Sequence, residues 1–244
     1  MTAALPRLRM FAGPNGSGKT TIKVGLNRPS AWFGNYINPD DIEGDFRNHG
    51  GFPAHKLDVE IDIQKIRDFF FESPFLQKLG LNDVANSIQL ISGRIAFSEI
   101  EVNSYHASVL CDYLRQRCVE NSQSFSFETV MSAWDKVDLL RQAQQSGFRT
   151  YLYYVATEDP AINISRVKFR VTEGGHDVPE SKIVARYHRS LGLLPEAIRH
   201  TNRAFFFDTS EETPWFFGEA TEGKSIELKT TTMPLWFQPI WDQF

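Results

Sequence analysis

The stretch "FAGPNGSGKTT", Phe11–Thr21, decides the fold. Within it "GPNGSGKT" satisfies G-x-x-x-x-G-K-[ST] at Gly13, Gly18, Lys19 and Thr20. Glycines at these places let successive backbone N–H groups turn inward and surround phosphate oxygens. The lysine reaches the β- and γ-phosphates, and the threonine hydroxyl binds magnesium. The residues expected to hold ATP are therefore Gly13, Pro14, Asn15, Gly16, Ser17, Gly18, Lys19, Thr20 and Thr21, with Thr20 on Mg2+. A dinucleotide fingerprint needs G-x-G-x-x-G, and glycines at 13, 16 and 18 do not fit it. The loop alone does not separate a kinase from an NTPase switch.

Working outward, "RLRMFAG" (7–13) reads as the strand that enters the loop and "GKTTIKVGLN" (18–27) as the helix that leaves it. "GNYINPDDI" (34–42), "SQSFSFETV" (122–130), "RTYLYYVAT" (149–157) and "RAFFFDTS" (203–210) read as further strands. "GKSIELKTTT" (223–232) adds a strand or hairpin at an edge. Strands alternating with helices predict an α/β fold of P-loop NTPase type, a mostly parallel five-stranded sheet with helices on both faces. The chain of 244 residues reads as one domain, 1–244. It carries a helical insert over about 52–121 and an arginine-bearing lid over about 159–190. In the insert, "DVEIDIQKIRDFFF" (58–71) and "SYHASVLCDYLRQRCVEN" (104–121) are the clearest helices.

Composition is that of an ordinary globular protein, and a net charge of −4 does not favour binding to a long nucleic acid. Cys111 and Cys118 lie seven apart in a helical pattern, too far for a disulfide and without the extra ligands of a zinc site. Packed thiols are expected. No apolar run reaches the roughly 18 residues of a membrane span, and the first strand leaves no room for a removable leader. No membrane contact and a cytoplasmic location are the expectation.

Asp40 and Asp41 follow the second strand, where an aspartate can take the proton of a substrate hydroxyl as it attacks a γ-phosphate. "PDDIE" (39–43) can equally begin a helix, with the aspartates at its cap. Asp40 is placed ahead of Asp41. Glu128, Thr129 and Ser132 close the third strand and can bind a polar substrate, or simply cap the next helix. Arg166 and Arg170 lie four apart on one helix face, with Arg186 and Arg189 in the next helix. Such arginines stabilise a migrating phosphoryl group, or form a solvated basic face. Two helices joined by "EGGHDVP" (173–179) could close over a site. His176 in that turn is as readily a structural hydrogen-bonding group as a base. Asp208 and Ser210 fall past the fifth strand, towards a nucleotide base.

"AGPNGSGKTT", "INPDDI", "FSFETVMS", "RVKFRVTEGGHDVP" and "ARYHRSL" occur in the order seen in zeta-toxin-like P-loop kinases, and the chain resembles that family from about Leu8 to Ser210. "GGHDVP" followed by "RYHRS" is the specific part of the match. The resemblance implies phosphorylation of UDP-N-acetylglucosamine on its amino sugar, with ATP and magnesium, and a paired antitoxin that blocks the nucleotide site. It places the family's catalytic aspartate on Asp40, its loop lysine on Lys19 and its loop threonine on Thr20. Its substrate-binding acid falls on Glu128, and its phosphate-stabilising arginines on Arg166 or Arg170 and on Arg186. The insert between Asp41 and Glu128 does not align with the family's sugar-binding region. Other acceptors (a nucleoside, an antibiotic, an RNA end) and an ATP-dependent binding module without transfer stay open.

Overall fold

The structure, a computed structural model, describes residues 5–57, 59–98, 100–175 and 177–244. In chain order the elements are β1 (Arg7–Ala12), α1 (Lys19–Gly25), α2 (Ser30–Phe33), β2 (Asn35–Tyr36), α3 (Pro39–His49) and β3 (Phe52–Pro53). Then come α4 (Ile63–Glu72), α5 (Pro74–Leu79), β4 (Ile88–Ile91), β5 (Arg94–Phe97), α6 (Ser104–Glu120), β6 (Phe125–Thr129) and α7 (Asp135–Gln145). The last are β7 (Arg149–Ala156), α8 (Pro160–Thr172), α9 (Glu180–Arg199), β8 (Arg203–Asp208), β9 (Trp215–Thr221), β10 (Ser225–Leu228) and α10 (Gln238–Trp241). The chain divides into two compact units, one from the residues up to Phe33 together with Ser126–Phe244, the other Gly34–Phe125.

The first unit is built on a sheet in the order β10-β9-β8-β7-β1-β6. β1 and β7 run parallel with Phe11 opposite Tyr153, and β7 and β8 run parallel with Tyr153 opposite Phe205. β9 and β10 extend it antiparallel. The result is the mixed α/β, mostly parallel sheet that the strand–helix alternation predicts. β9 is an addition: its "WFFGEAT" was read as connection, because the aromatic run is broken by Gly218. The β9–β10 hairpin turns at Glu222 (φ 50) and Gly223 (φ 62), left-handed values typical of a tight hairpin turn.

β1 and β7 are buried along almost their whole length. That is the signature of strands covered on both faces. Alternation splits their side chains between two faces. On one face Tyr154 meets Ser190 of α9 at 3.0 Å, and Phe206 packs on Phe237 at 4.7 Å. On the other, Phe11, Tyr153 and Phe205 stack across three strands at 4.8 and 4.9 Å.

The second unit is organised around Phe97. Its ring meets Phe46 of α3 (5.3 Å), Phe70 of α4 (5.7 Å) and His106 of α6 (5.8 Å). Its apolar spacing predicts helices, and α4, α5 and α6 are present, but so is a small antiparallel sheet, β3-β5-β4. The β4–β5 hairpin turns on Ser92 (φ 50) and Gly93 (φ 75), the left-handed pair a two-residue loop requires. Short strands of four residues carry too little periodicity to be told from helix. Cys111 and Cys118 are free and buried, as packed thiols should be. Burial pushes the Cys118 thiol up to about 12. Among the described residues no helix is long and apolar enough to cross a membrane.

Candidate functional site

The strand, loop and helix of "FAGPNGSGKTT" form as the motif demands. β1 ends at Ala12, and the chain then takes positive φ at Gly13 (144°), Gly16 (72°) and Gly18 (81°). A Cβ at Gly13 would lie 1.9 Å from the Val155 carbonyl oxygen, and one at Gly16 would lie 2.6 Å from the Asn163 carbonyl oxygen. Gly13 N donates to Thr129 O (3.2 Å) and Ser17 N to Pro14 O (3.3 Å), which closes the loop on itself and on the end of β6. Ser17 is buried, and its Oγ has no partner.

Lys19 Nζ bridges the loop, donating to Gly13 O at 2.8 Å and Pro14 O at 2.9 Å. Burial pushes its ammonium down to about 8. Glu128 works against that shift, while Arg170 and Arg186 reinforce it. Those two arginines thus share the electrostatic environment of the loop lysine. Thr20 Oγ1 donates to Glu128 Oε2 at 2.7 Å, and Lys23 Nζ meets Glu128 Oε1 at 2.9 Å. Thr21 is exposed on α1. Thr129 Oγ1 accepts from Met131 N at 3.0 Å, and its carbonyl takes the Gly13 amide, so Thr129 shapes the connection after β6. Ser132 is half-buried in the same connection.

The helices expected to act as a lid are fastened to the loop. Asn163 of α8 is fully buried, and its Nδ2 donates to Asn15 O at 2.6 Å. Arg186 Nη1 of α9 reaches Asn15 Oδ1 at 3.4 Å, and Tyr187 OH donates to Thr157 O at 2.6 Å. Arg166 faces elsewhere: its Nη2 donates to Thr209 O at 2.6 Å, and Thr209 Oγ1 donates to Ser17 O at 2.8 Å. Arg166 therefore braces the loop through Thr209. Arg170 and Arg189 are exposed. His176 lies outside the described residues.

Asp208 and Ser210 bond to each other and to Trp236 at 2.8 Å through its Nε1. They anchor an aromatic core, which satisfies the polar atoms expected to face a base. In the second unit, Asn38 caps α3 by accepting the Asp40 amide at 3.3 Å, and Pro39 takes the first helical position. The cap is thus Asn38, and neither aspartate serves as one. Asp40 is exposed, and among the described residues nothing hydrogen-bonds to its carboxylate.

Sequence reasoning did not single out Lys23, Asn163 or Thr209. Lys23 was accessible, because it stands one helical turn after Lys19 on the same face. The partners of Asn163 and Thr209 lie 148 and 192 residues away along the chain, and no local pattern announces them. Among the described residues no three His, Cys, Asp or Glu side chains cluster as a metal site. A magnesium ion would rely on the Thr20 hydroxyl together with phosphate oxygens, the usual arrangement for this cation.

No family model matches the chain. A stretch of 63 residues, 26% of this chain and 45% of its counterpart, is 32% identical to an uncharacterised protein of Haemophilus influenzae. Among solved structures, the AvrRxo1-ORF1:AvrRxo1-ORF2 complex with sulphate ions is similar over 98% of this chain and 64% of that one, with a TM-score of 0.59 at 14% identity. The AvrRxo1-ORF1:-ORF2 complex with ATP is similar over 93% of this chain and 61% of its counterpart, with a TM-score of 0.56 at 15% identity. The chain spans less than two thirds of these relatives, and at such identities the likeness is one of fold.

Proposed function

We propose that the protein is an ATP- and magnesium-dependent kinase of the zeta-toxin type. It transfers the γ-phosphoryl group to a hydroxyl of a small acceptor, a UDP-amino sugar such as UDP-N-acetylglucosamine. One observation carries the reading: a glycine loop bridged by Lys19, with Thr20 hydrogen-bonded to Glu128 at 2.7 Å. The ATP in the AvrRxo1-ORF1:-ORF2 structure supports the choice of nucleotide.

The loop amides and Lys19 hold the phosphates, with Arg170 and Arg186 adding positive charge around them. Arg166 contributes through Thr209. Glu128, by accepting the Thr20 proton, leaves the hydroxyl lone pairs to magnesium. The metal, when bound, neutralises charge that builds on the phosphate oxygens. Asp40 takes the proton from the acceptor hydroxyl as that oxygen bonds to the γ-phosphorus and ADP leaves. The two-chain AvrRxo1 complexes support a protein partner for this chain too, in the manner of an antitoxin.

The test is incubation with ATP, magnesium and a mixture of nucleotide sugars, nucleosides and short RNAs, followed by mass spectrometry. An acceptor that gains one phosphoryl group, absent with Asp40→Asn, is the expected result. Normal turnover by Asp40→Asn would overturn the mechanism. ATP binding without any phosphorylated product would favour a nucleotide-dependent binding module.

A further inference from the structure

Arg9 sits in the middle of β1 with 2% of its surface exposed. Its Nε has no partner, and among the described residues no hydrogen bond or ion pair reaches its guanidinium. Its neighbours are rings. The guanidinium carbon stands 4.0 Å from the Trp32 ring centroid and 5.4 Å from that of Tyr151. A buried guanidinium with donors unspent is costly. Cation–π contacts offset part of that cost but use the flat faces of the group and leave its N–H edge unsatisfied. Burial draws the Arg9 charge down, and Arg7 adds to that pull. The surroundings favour an anion that the chain itself does not supply.

Each ring that sandwiches Arg9 carries a second arginine. Arg28 stands 6.0 Å from the Trp32 centroid, and Arg149 stands 6.0 Å from that of Tyr151. Both are exposed. Arg9 and Arg28 also act together on the Tyr153 phenol. Arg203 faces the same phenol but is neutralised by Glu219. Among the described residues no carboxylate pairs with Arg9, Arg28 or Arg149. Three uncompensated guanidinia therefore converge on one sheet face, between half-exposed rings of Trp32 and Tyr151. The place is remote from the glycine loop. Arg9 precedes Gly13 by four residues of strand, about 13 Å at the usual rise.

We propose that Arg9, Arg28 and Arg149, with the rings of Trp32 and Tyr151, form a second anion site that takes the phosphate of a nucleotide or of a nucleic-acid end. Guanidinia bind phosphate oxygens in pairs through their parallel N–H groups. Half-exposed aromatic rings beside them accept the flat face of a base. A carboxylate would use the arginines and leave the rings idle. The site does not depend on the kinase reading.

Calorimetric titration of the full chain with pyrophosphate tests it, in a Lys19→Ala background that removes the glycine-loop site from the measurement. One site is expected to remain. Adding Arg28→Ala and Arg149→Ala together should weaken it about tenfold, the loss of one charge-assisted contact. Both side chains are exposed, so the fold survives the change. Arg9→Met should abolish binding while raising the melting temperature, because an apolar side chain replaces an unpaired buried charge. A stack that serves only to hold α2 would instead melt earlier with methionine. No pyrophosphate binding by Lys19→Ala, or equal binding after loss of Arg28 and Arg149, overturns the proposal. Displacement of pyrophosphate by a mononucleotide assigns the site to free nucleotides. Displacement only by a 5′-phosphorylated oligonucleotide assigns it to nucleic-acid ends.

Discussion

Thr20 Oγ1 gives its single proton to Glu128 Oε2 across 2.7 Å, while Lys23 Nζ holds Oε1 at 2.9 Å. A hydroxyl whose proton is committed presents only lone pairs to its other side, and lone pairs are what a cation needs. Lys23 keeps the carboxylate in that pose. Glu128→Ala should raise the magnesium concentration for half-maximal activity about 10- to 100-fold, the usual cost of losing a partner behind a metal ligand. Thr20→Ser should keep most activity, and Lys23→Met should move the magnesium requirement in the same direction as Glu128→Ala. Titration of activity with magnesium at saturating ATP reads all three. If Glu128→Ala changed only the KM for the acceptor, the carboxylate would belong to acceptor binding.

Two glycines of the loop are required for space as well as for φ. Gly16 has φ 72°, and a methyl group there would lie 2.6 Å from the Asn163 carbonyl oxygen, a backbone atom fixed by α8. Gly16→Ala should cost about 1–3 kcal/mol of stability and abolish ATP binding. Gly25, at the end of α1, meets nothing within 4 Å. Gly25→Ala should be neutral or stabilising by up to about 1 kcal/mol. Urea unfolding of the two variants side by side checks this. Equal midpoints would mean that the Asn163 contact yields easily.

The loop was legible because its chemistry is local: spacing alone fixes Gly13, Gly18, Lys19 and Thr20, and five strands could be read from β-forming runs. The pairings around the loop were not legible. Thr20 and Glu128 are 108 residues apart, and Arg166 and Thr209 are 43 apart. Arg166 and Arg170 look equivalent as letters four apart. In the fold, one spends its donors on a carbonyl and the other shares the field of Lys19. The hairpin "QLISGRIAF" (89–97) carried its own signal in Ser92-Gly93, but short strands inside a helical region were hidden by the periodicity around them. Arg9 shows the opposite failure. A strand arginine reads as surface, and only the pairing of β1 with β7 beneath Trp32 shows that it is buried.

Burial lowers the Lys19 ammonium from 10.5 to about 8. Below pH 8 both folded and unfolded chains carry the charge, and the fold bears the full penalty of burying it. Between about pH 8 and 10.5 the unfolded chain holds the extra proton, so the Lys19 contribution to stability rises with pH there. Bound phosphate should reverse the shift, because a nearby negative charge favours the ammonium. ATP binding at pH near 8 should therefore take up a fraction of a proton from buffer. Calorimetry in buffers of different ionisation heats measures that fraction, and Lys19→Met should lose it. Proton-neutral binding by the unmodified protein would mean that Lys19 is fully charged before ATP arrives.

Trp236 joins the chain's last helical turns to the strand ends beside the loop. Its Nε1 donates to Asp208 Oδ2 at 2.8 Å, and Glu158 accepts the amides of Leu235 (2.7 Å) and Trp236 (3.3 Å). Its ring packs on Phe217 (5.6 Å) and Phe237 (5.5 Å), and Phe237 in turn covers Phe206 at 4.7 Å. Asp208 directly precedes Thr209, whose hydroxyl donates to Ser17 O at 2.8 Å. Trp236→Ala should cost about 3–5 kcal/mol as a large buried ring is lost. Trp236→Phe keeps most of the packing and removes the donor, leaving the buried Asp208 oxygen short of a partner at a cost of about 1–3 kcal/mol. Because Asp208 and Thr209 are adjacent, Trp236→Phe should also weaken ATP binding several-fold by loosening the contact at Ser17. Denaturation midpoints and ATP affinities separate the two effects. A stability loss with unchanged ATP affinity would show that the aromatic core and the loop are independent, with Thr209 held by Arg166 alone.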